Sequence, residues 1–330
     1  MVAVSYAMRR IERHLLCMSG SRPRETCADG EAAISARDQM ELSLITLKIR
    51  HRTTYRYRQP VSLRPHHLML RPRESRNLHL ISNRIDVTPA ATITWARDVF
   101  DNAIATATFQ TMTDTLVIDS VTELDLHAVA WPIFDLASYA VFYPFNYSEG
   151  EWTDLGALTT QQYADPEGQL RTWAQDFVRG DQTDTLSLLK DLNTGISAWI
   201  SYQSRDDEGT QTPIETLDRG WGACRDLSVL FIEAARSLGF GARIVSGYMY
   251  NPDGNVVGPR DKGSTHAWAE VYVPGAGWIT FDPTNRSVGG FNLIPIAVAR
   301  DIKQAMPVAG SFVGMSDAFL GMSVEVLVTS

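Results

Sequence analysis

Three residues carry the chemistry this chain could perform: Cys224, His266 and Asp282. Cys224 follows Trp221-Gly222-Ala223 and opens a run with helical period. A helix N-terminus offers unpaired N–H groups and the positive end of the helix dipole, and both favour thiolate over thiol. A nearby imidazolium would lower the thiol further, into the range where cysteine attacks at neutral pH. Gly222 and Ala223 leave the approach to the sulfur uncrowded. The same position also suits a buried cysteine that packs as a small apolar side chain. His266 starts one strand-like run, and Asp282 ends the next, just before Pro283. Singly, a strand histidine is more often structural, and an Asp before Pro is more often a turn or cap residue. Together they are more specific. If Tyr272 pairs with Trp278 across the loop Pro274-Gly275-Ala276-Gly277, position 266 opposes 284, and 282 lies two residues along on the same face. A slip of one residue would turn Asp282 away.

These types fit nucleophilic attack on an amide. Cysteine is the nucleophile. Histidine accepts its proton and later protonates the leaving amine, and aspartate fixes the tautomer and supports the imidazolium. A thioester acyl-enzyme follows, resolved by water or by a second amine. The backbone N–H of Cys224 is one oxyanion donor. Trp199, Gln203 and Trp221 are the candidates for a second.

A helix must present Cys224, and a hairpin must present His266 and Asp282. Leu227, Leu230, Phe231, Ala234, Ala235 and Leu238 form an amphipathic stripe behind the cysteine, and Gly239 suits the stop. The runs 243–249, 266–273 and 278–282 read as strands. Two helices precede them. One carries Leu170, Trp173, Phe177 and Val178 and ends at Gly180. The other carries Leu186, Leu189, Leu192, Ile196 and Ile200, and Gly195 weakens it slightly. Upstream the period is two. Leu47, Ile49, His51 and Thr53 begin a series of short strands that includes 78–85, 92–99, 103–109 and 116–126. This pattern predicts an antiparallel β-sandwich over 42–130. Residues 131–165 are aromatic and turn-rich, a connecting segment packed between domains. The run 324–328 reads as a strand that rejoins the sheet of 243–249, 266–273 and 278–282. The expected organisation is a disordered tail (1–41), an all-β sandwich domain with its connecting segment (42–165) and a catalytic core (166–330), in fold class α+β.

The 330 residues are 44% hydrophobic and 21% charged, enough apolar content for a sizeable core. The net charge of −8 argues against a general nucleic-acid coat protein. Three cysteines, Cys17, Cys27 and Cys224, with no CxxC pair, make no disulfide framework and agree with a reducing cytoplasm. No run approaches the roughly 18 apolar residues a membrane helix needs. The expectation is a cytoplasmic protein with a protein or peptide substrate, no membrane or nucleic-acid partner, no cofactor and no metal.

The run Gly222-Ala223-Cys224-Arg225-Asp226-Leu227, followed by Gly239-Phe240-Gly241-Ala242-Arg243-Ile244-Val245-Ser246-Gly247-Tyr248, resembles the transglutaminase-like superfamily. Thr265-His266-Ala267-Trp268-Ala269-Glu270-Val271-Tyr272 and Asp282-Pro283-Thr284-Asn285 match its histidine and aspartate motifs in the same order. Tyr55-Arg56-Tyr57-Arg58-Gln59-Pro60-Val61 and Leu70-Arg71-Pro72-Arg73 resemble the N-terminal β-domain of its bacterial branch. The resemblance covers about 42–330. It implies a papain-like α+β core with a Cys-His-Asp triad at Cys224, His266 and Asp282. Its members include transamidases, cysteine peptidases, peptide amidases and inactive relatives. The expected activity is hydrolysis of peptide or carboxamide bonds by a cysteine peptidase or amidase. The alternatives are a protein-glutamine transamidase, an inactive peptide-binding module and an acyltransferase with a thioester donor.

Other features read more plainly. Arg64, His66, His67, Arg71 and Arg73 suit a solvated strand edge better than a phosphate or zinc site. Asp206, Asp207 and Glu208 lack EF-hand spacing and suit a solvated loop better than calcium. Arg225 and Asp226 either pair at the helix start or shape the site. Trp268 is expected to pack beneath the sheet. Asp101 stands where a tight turn before Asn102 would favour Gly. Met40 precedes the first patterned segment and is a candidate true start. Mass spectrometry of the native N-terminus should then yield no peptide from residues 1–39, and finding one contradicts that start.

Overall fold

A computed structural model describes residues 43–128, 132–204, 209–251 and 264–330. The expected tail 1–41, the start at Met40 and the acidic run 206–208 lie outside the described residues. The N-terminal strands are β1 (Ser43–Leu63), β2 (His66–Leu68), β3 (Leu78–Thr88), β4 (Ala91–Arg97), β5 (Ala103–Phe109) and β6 (Thr113–Ala128). Alternation decides which face of β1 is buried. Leu47, Ile49, His51 and Thr53 point inward, while Lys48, Arg50 and Arg52 face solvent. β1 pairs antiparallel with β6, and β6 pairs with β3. A second sheet joins β4, β5 and β2. Tyr57, Val61, Leu63, Leu68, Leu70, Ala105, Ala107, Leu116 and Ile118, drawn from both sheets and the segment after β2, form one apolar cluster.

The chain's end departs from the expected division. Strand Phe319–Thr329 pairs with β1 from Lys48 to Tyr57. Phe312–Val313 also pairs with β1, and Val308–Ala309 pairs with β2. The end of 166–330 therefore completes the N-terminal sheets rather than the core. Alternation in 324–328 marked a strand, but local pattern does not choose between sheet edges.

Among the described residues, five α-helices follow β6: α1 (Glu149–Leu155), α2 (Gln169–Gln175), α3 (Thr185–Trp199), α4 (Pro213–Arg219) and α5 (Cys224–Ser237). α2 stops before the expected Gly180, and turns carry the chain on through Phe177 and Val178. Gly195 has a packing reason to be in α3, because a Cβ there would lie 2.4 Å from the Phe177 ring. The core sheet is antiparallel, in the order Ser287–Val288, Gly277–Asp282, Ser264–Val273, Gly241–Met249, Leu293–Ala299. α5 buries Leu227, Leu230, Phe231, Ala234 and Ala235 in a cluster with Ile244, Ala267, Ala269 and Phe281. Leu47, Ile49, Leu124 and Leu126 belong to that same cluster, so the N-terminal sheet and the core sheet share one apolar core.

The basic cluster is not a solvated edge throughout. His66 is buried, with Nδ1 2.8 Å from the Arg64 carbonyl oxygen, and its ring fills the space beside Gly310. Arg73 is half-buried and donates to Phe100 O and Asn102 Oδ1. His67 is exposed. Exposure could not be read from a run without clear alternation.

The far end of α5 is held by an ion pair between Arg236 and Glu233, each 1% exposed and 2.6 Å apart. Arg236 also donates to the carbonyls of Leu158, Ala242 and Arg300. Glu233 accepts the backbone N–H groups of Gln162 and Tyr163. Burying two charges is costly, and removing one partner strands the other. Arg236→Ala should therefore cost about 3–5 kcal/mol in denaturant unfolding. A loss below about 1 kcal/mol, the scale of a surface pair, contradicts this role.

Candidate active site

Cys224 is the first residue of α5 and is half-buried. The preceding Ala223 cannot cap the helix with its side chain. Asp226 supplies the carboxylate instead, accepting the N–H of Ala223 at 2.9 Å and that of Gln211 at 2.8 Å. Asp226 is fully buried, so it shapes the helix start from below. Gly222 makes room for it, since a Cβ at 222 would lie 2.9 Å from the Asp226 Cβ. The Ser228 hydroxyl donates toward the carbonyls of Cys224 and Ala267 and ties the first turn of α5 to the histidine strand.

His266 and Asp282 meet through strand register. Tyr272 opposes Trp278, and Ala269 opposes Phe281. That is the register in which 282 reaches the face of 266. His266 Nε2 lies 2.8 Å from Asp282 Oδ2, with His266 5% and Asp282 1% exposed. Asp282 Oδ1 accepts the N–H groups of Thr284 and Asn285, and Oδ2 also accepts the Asn285 side-chain amide at 2.7 Å. The carboxylate is thus ionised and an acceptor, which puts the imidazole proton on Nε2 and leaves Nδ1 for the sulfur. The Cys224 thiol hydrogen-bonds to His266 and to the backbone N–H of Ala267.

The electrostatics follow. Burial alone would push the thiol up. The hydrogen bond and charge of His266, with the Ala267 N–H, outweigh burial and hold it below its ordinary value. Burial would lower His266, but the Asp282 charge and hydrogen bond, then Cys224, raise it to about 10. Burial would raise Asp282, but His266 and Asn285 bring it below the usual carboxylate value. The arrangement favours a thiolate beside an imidazolium near neutral pH.

The residues weighed as second oxyanion donors are placed unequally. Trp199 is 69% exposed at the end of α3. Gln203 donates its backbone N–H to the Gly222 carbonyl. Trp221 lies under the Arg219 guanidinium. Tyr202 also lies in this neighbourhood, though nothing in the local sequence pattern marks it. Ser201–Tyr202 runs parallel to Trp221–Gly222, with Tyr202 opposite Gly222. Burial raises its phenol and the charge at Cys224 raises it further, against a hydrogen bond with the Ser204 side chain and the charge of Arg225. A two-residue parallel bridge has no period from which to infer this neighbourhood. Arg225 turns to the Gly209 carbonyl. Among the described residues no group of three or more His, Cys, Asp or Glu side chains could hold a metal ion. Among them, too, no helix is long and apolar enough to cross a membrane.

Residues 171–283, which span all three candidate residues, match the family model of the transglutaminase-like superfamily. Residues 47–125 match that of the bacterial transglutaminase-like N-terminal region. An uncharacterised protein of Mycobacterium leprae is 23% identical over 85% of this chain and 98% of its own length. One of Mycobacterium tuberculosis is 26% identical over 85% of this chain and 92% of its own. The crystal structure of a candidate cysteine protease from Cytophaga hutchinsonii shares the fold, with a TM-score of 0.67 and 21% identity over 87% of this chain and 92% of that one.

The pH dependence of Cys224 alkylation tests the site. Thiolate reacts and thiol does not, so a lowered thiol alkylates quickly well below the ~8.5 of a free cysteine. In His266→Ala the imidazole's contribution is gone while burial and the Ala267 N–H remain, so the profile should move to higher pH. Peptide mass spectrometry would separate Cys224 from Cys17 and Cys27. Identical profiles for the two proteins would contradict a thiol activated by His266.

Proposed function

Because residues 47–125 and 171–283 place the chain in the transglutaminase-like superfamily with its bacterial N-terminal region, we propose that it is a thiol enzyme hydrolysing peptide or carboxamide bonds. The observation that carries this reading is the buried line from Asp282 through His266 to Cys224. The Cys224 thiolate attacks the carbonyl carbon, and the carbonyl oxygen takes the negative charge. The Cys224 N–H at the head of α5 and the Tyr202 phenol are the donors for that oxygen. The His266 imidazolium gives its Nδ1 proton to the departing amine as the C–N bond breaks, leaving a thioester. Nδ1 then takes a proton from water, whose oxygen attacks the thioester. Expulsion of the thiolate restores the pair. Asp282 keeps its negative charge throughout and opposes the imidazolium. Hydrolysis needs only water as acceptor, whereas transamidation also needs a site that admits an amine.

Incubating the protein with a denatured glutamine-containing protein and a labelled primary amine tests the reading. The expected result is cleaved or deamidated product without label, lost in Cys224→Ala. Label incorporation would mean transamidation, and no change to a broad panel of amides would overturn the enzyme reading. In the same assay Tyr202→Phe should lower kcat by about 10²-fold. An unchanged kcat would remove the phenol from the oxyanion site.

A further inference from the structure

The hairpin turn between β4 and β5 reaches the face of the catalytic sheet on which His266 is supported. Asp98 shapes the turn. Its Oδ1 accepts the N–H groups of Phe100 and Asn102, and its Oδ2 accepts the Asn102 amide at 2.7 Å. Asp101 takes the left-handed conformation, φ +62°, that Asp tolerates better than most residues. The Asn102 side chain is completely buried and acts as a piece of strand. Its Nδ2 donates to the Val298 carbonyl at 2.8 Å, and its Oδ1 accepts the Val298 N–H at 2.9 Å. Arg73 braces the turn by donating to Phe100 O and Asn102 Oδ1, and its own backbone N–H donates to Pro295 O.

Asn102 thereby fixes where Phe100 lies. Phe100 packs against a small cluster of its own: Val245, Met249, Trp268, Leu293 and Val298. Trp268 is 1% exposed and stacks against His266, with ring centroids 6.0 Å apart and planes 28° apart. The strand opposite His266 must make room for the indole. Gly247 pairs with His266, and a Cβ at 247 would lie 2.7 Å from Trp268 Cη2 and 2.1 Å from Ile294 O. The imidazole is thus gripped by Asp282 through one nitrogen, by Cys224 through the other and by the indole on its face.

We propose that the 98–102 turn is a positioning element for the active site, with Phe100 acting through Trp268 to hold the His266 ring in line with Cys224. The inference rests on the proposed thiol chemistry and goes beyond it, because it makes the N-terminal β region part of the catalytic device. Phe100 touches neither substrate nor reacting atoms. A merely structural role would change stability and leave the reactivity profile of the sulfur where it is.

The test uses the full chain and the iodoacetamide alkylation profile of Cys224 against pH, with thermal unfolding measured alongside. Phe100→Ala should move the profile up by about one pH unit toward that of His266→Ala. That is a fall of about tenfold in rate near neutral pH. Phe100→Leu, which restores apolar volume against the Trp268 cluster, should recover most of it. If Phe100→Ala does not fold, Trp268→Phe replaces it, with the same shift expected. A folded Phe100→Ala or Trp268→Phe protein with the wild-type profile overturns the proposal while the thiol chemistry stands. A wild-type profile no different from that of His266→Ala overturns the thiol reading, and this inference with it.

Discussion

A buried hydrogen bond joins His266 to Asp282, and the geometry of the site is built around it. An ionised carboxylate with 1% exposure has lost nearly all its water, and such a group is stable only when fully partnered. Here the partners are the imidazole, two backbone N–H groups and the Asn285 amide. They fix the carboxylate, the carboxylate holds Nε2 of the ring, and Nδ1 is left facing the sulfur. That chain of cause requires the pairing of Tyr272 with Trp278 and no other, because a slip of one residue would send Asp282 to the opposite face.

Bringing sulfur to that nitrogen is the work of α5, which is secured at both ends by buried carboxylates. Asp226 holds the first turn by taking the orphan N–H of Ala223, and Glu233 with Arg236 anchors the last turns to the segments around Leu158, Gln162 and Arg300. Between them an apolar stripe lies on the sheet that carries His266 and Asp282. The sulfur therefore sits at a helix N-terminus, beside an imidazole and within reach of the Ala267 N–H. Each favours the thiolate, and together they outweigh the burial that opposes it.

What was legible in the sequence was what local pattern encodes. The stripe from Leu227 to Leu238 and the strands around the hairpin could be read from period, and the meeting of His266 with Asp282 from counting across a short loop. What was not legible depends on distant pairing. Val324 to Val328 alternate in a way that marks a strand but not its partner β1, which lies more than 260 residues earlier. Tyr202 stands beside the site through a two-residue parallel bridge. His66 and Arg73, read as a solvated edge, are drawn inward by Gly310 and Asn102. Asp101 signalled a turn with an awkward residue, and the reason lies across the molecule, where the turn presents Asn102 to Val298.

The site stands or falls on the protonation state of one imidazole. With Asp282 behind it and Cys224 before it, His266 should remain a cation through neutral pH. Nitrogen NMR of labelled protein across pH reads this directly at Nδ1 and Nε2. Both nitrogens should be protonated at pH 7, with the ring titrating at about 10. A ring that loses its proton near the ordinary value of about 6.5 would contradict this.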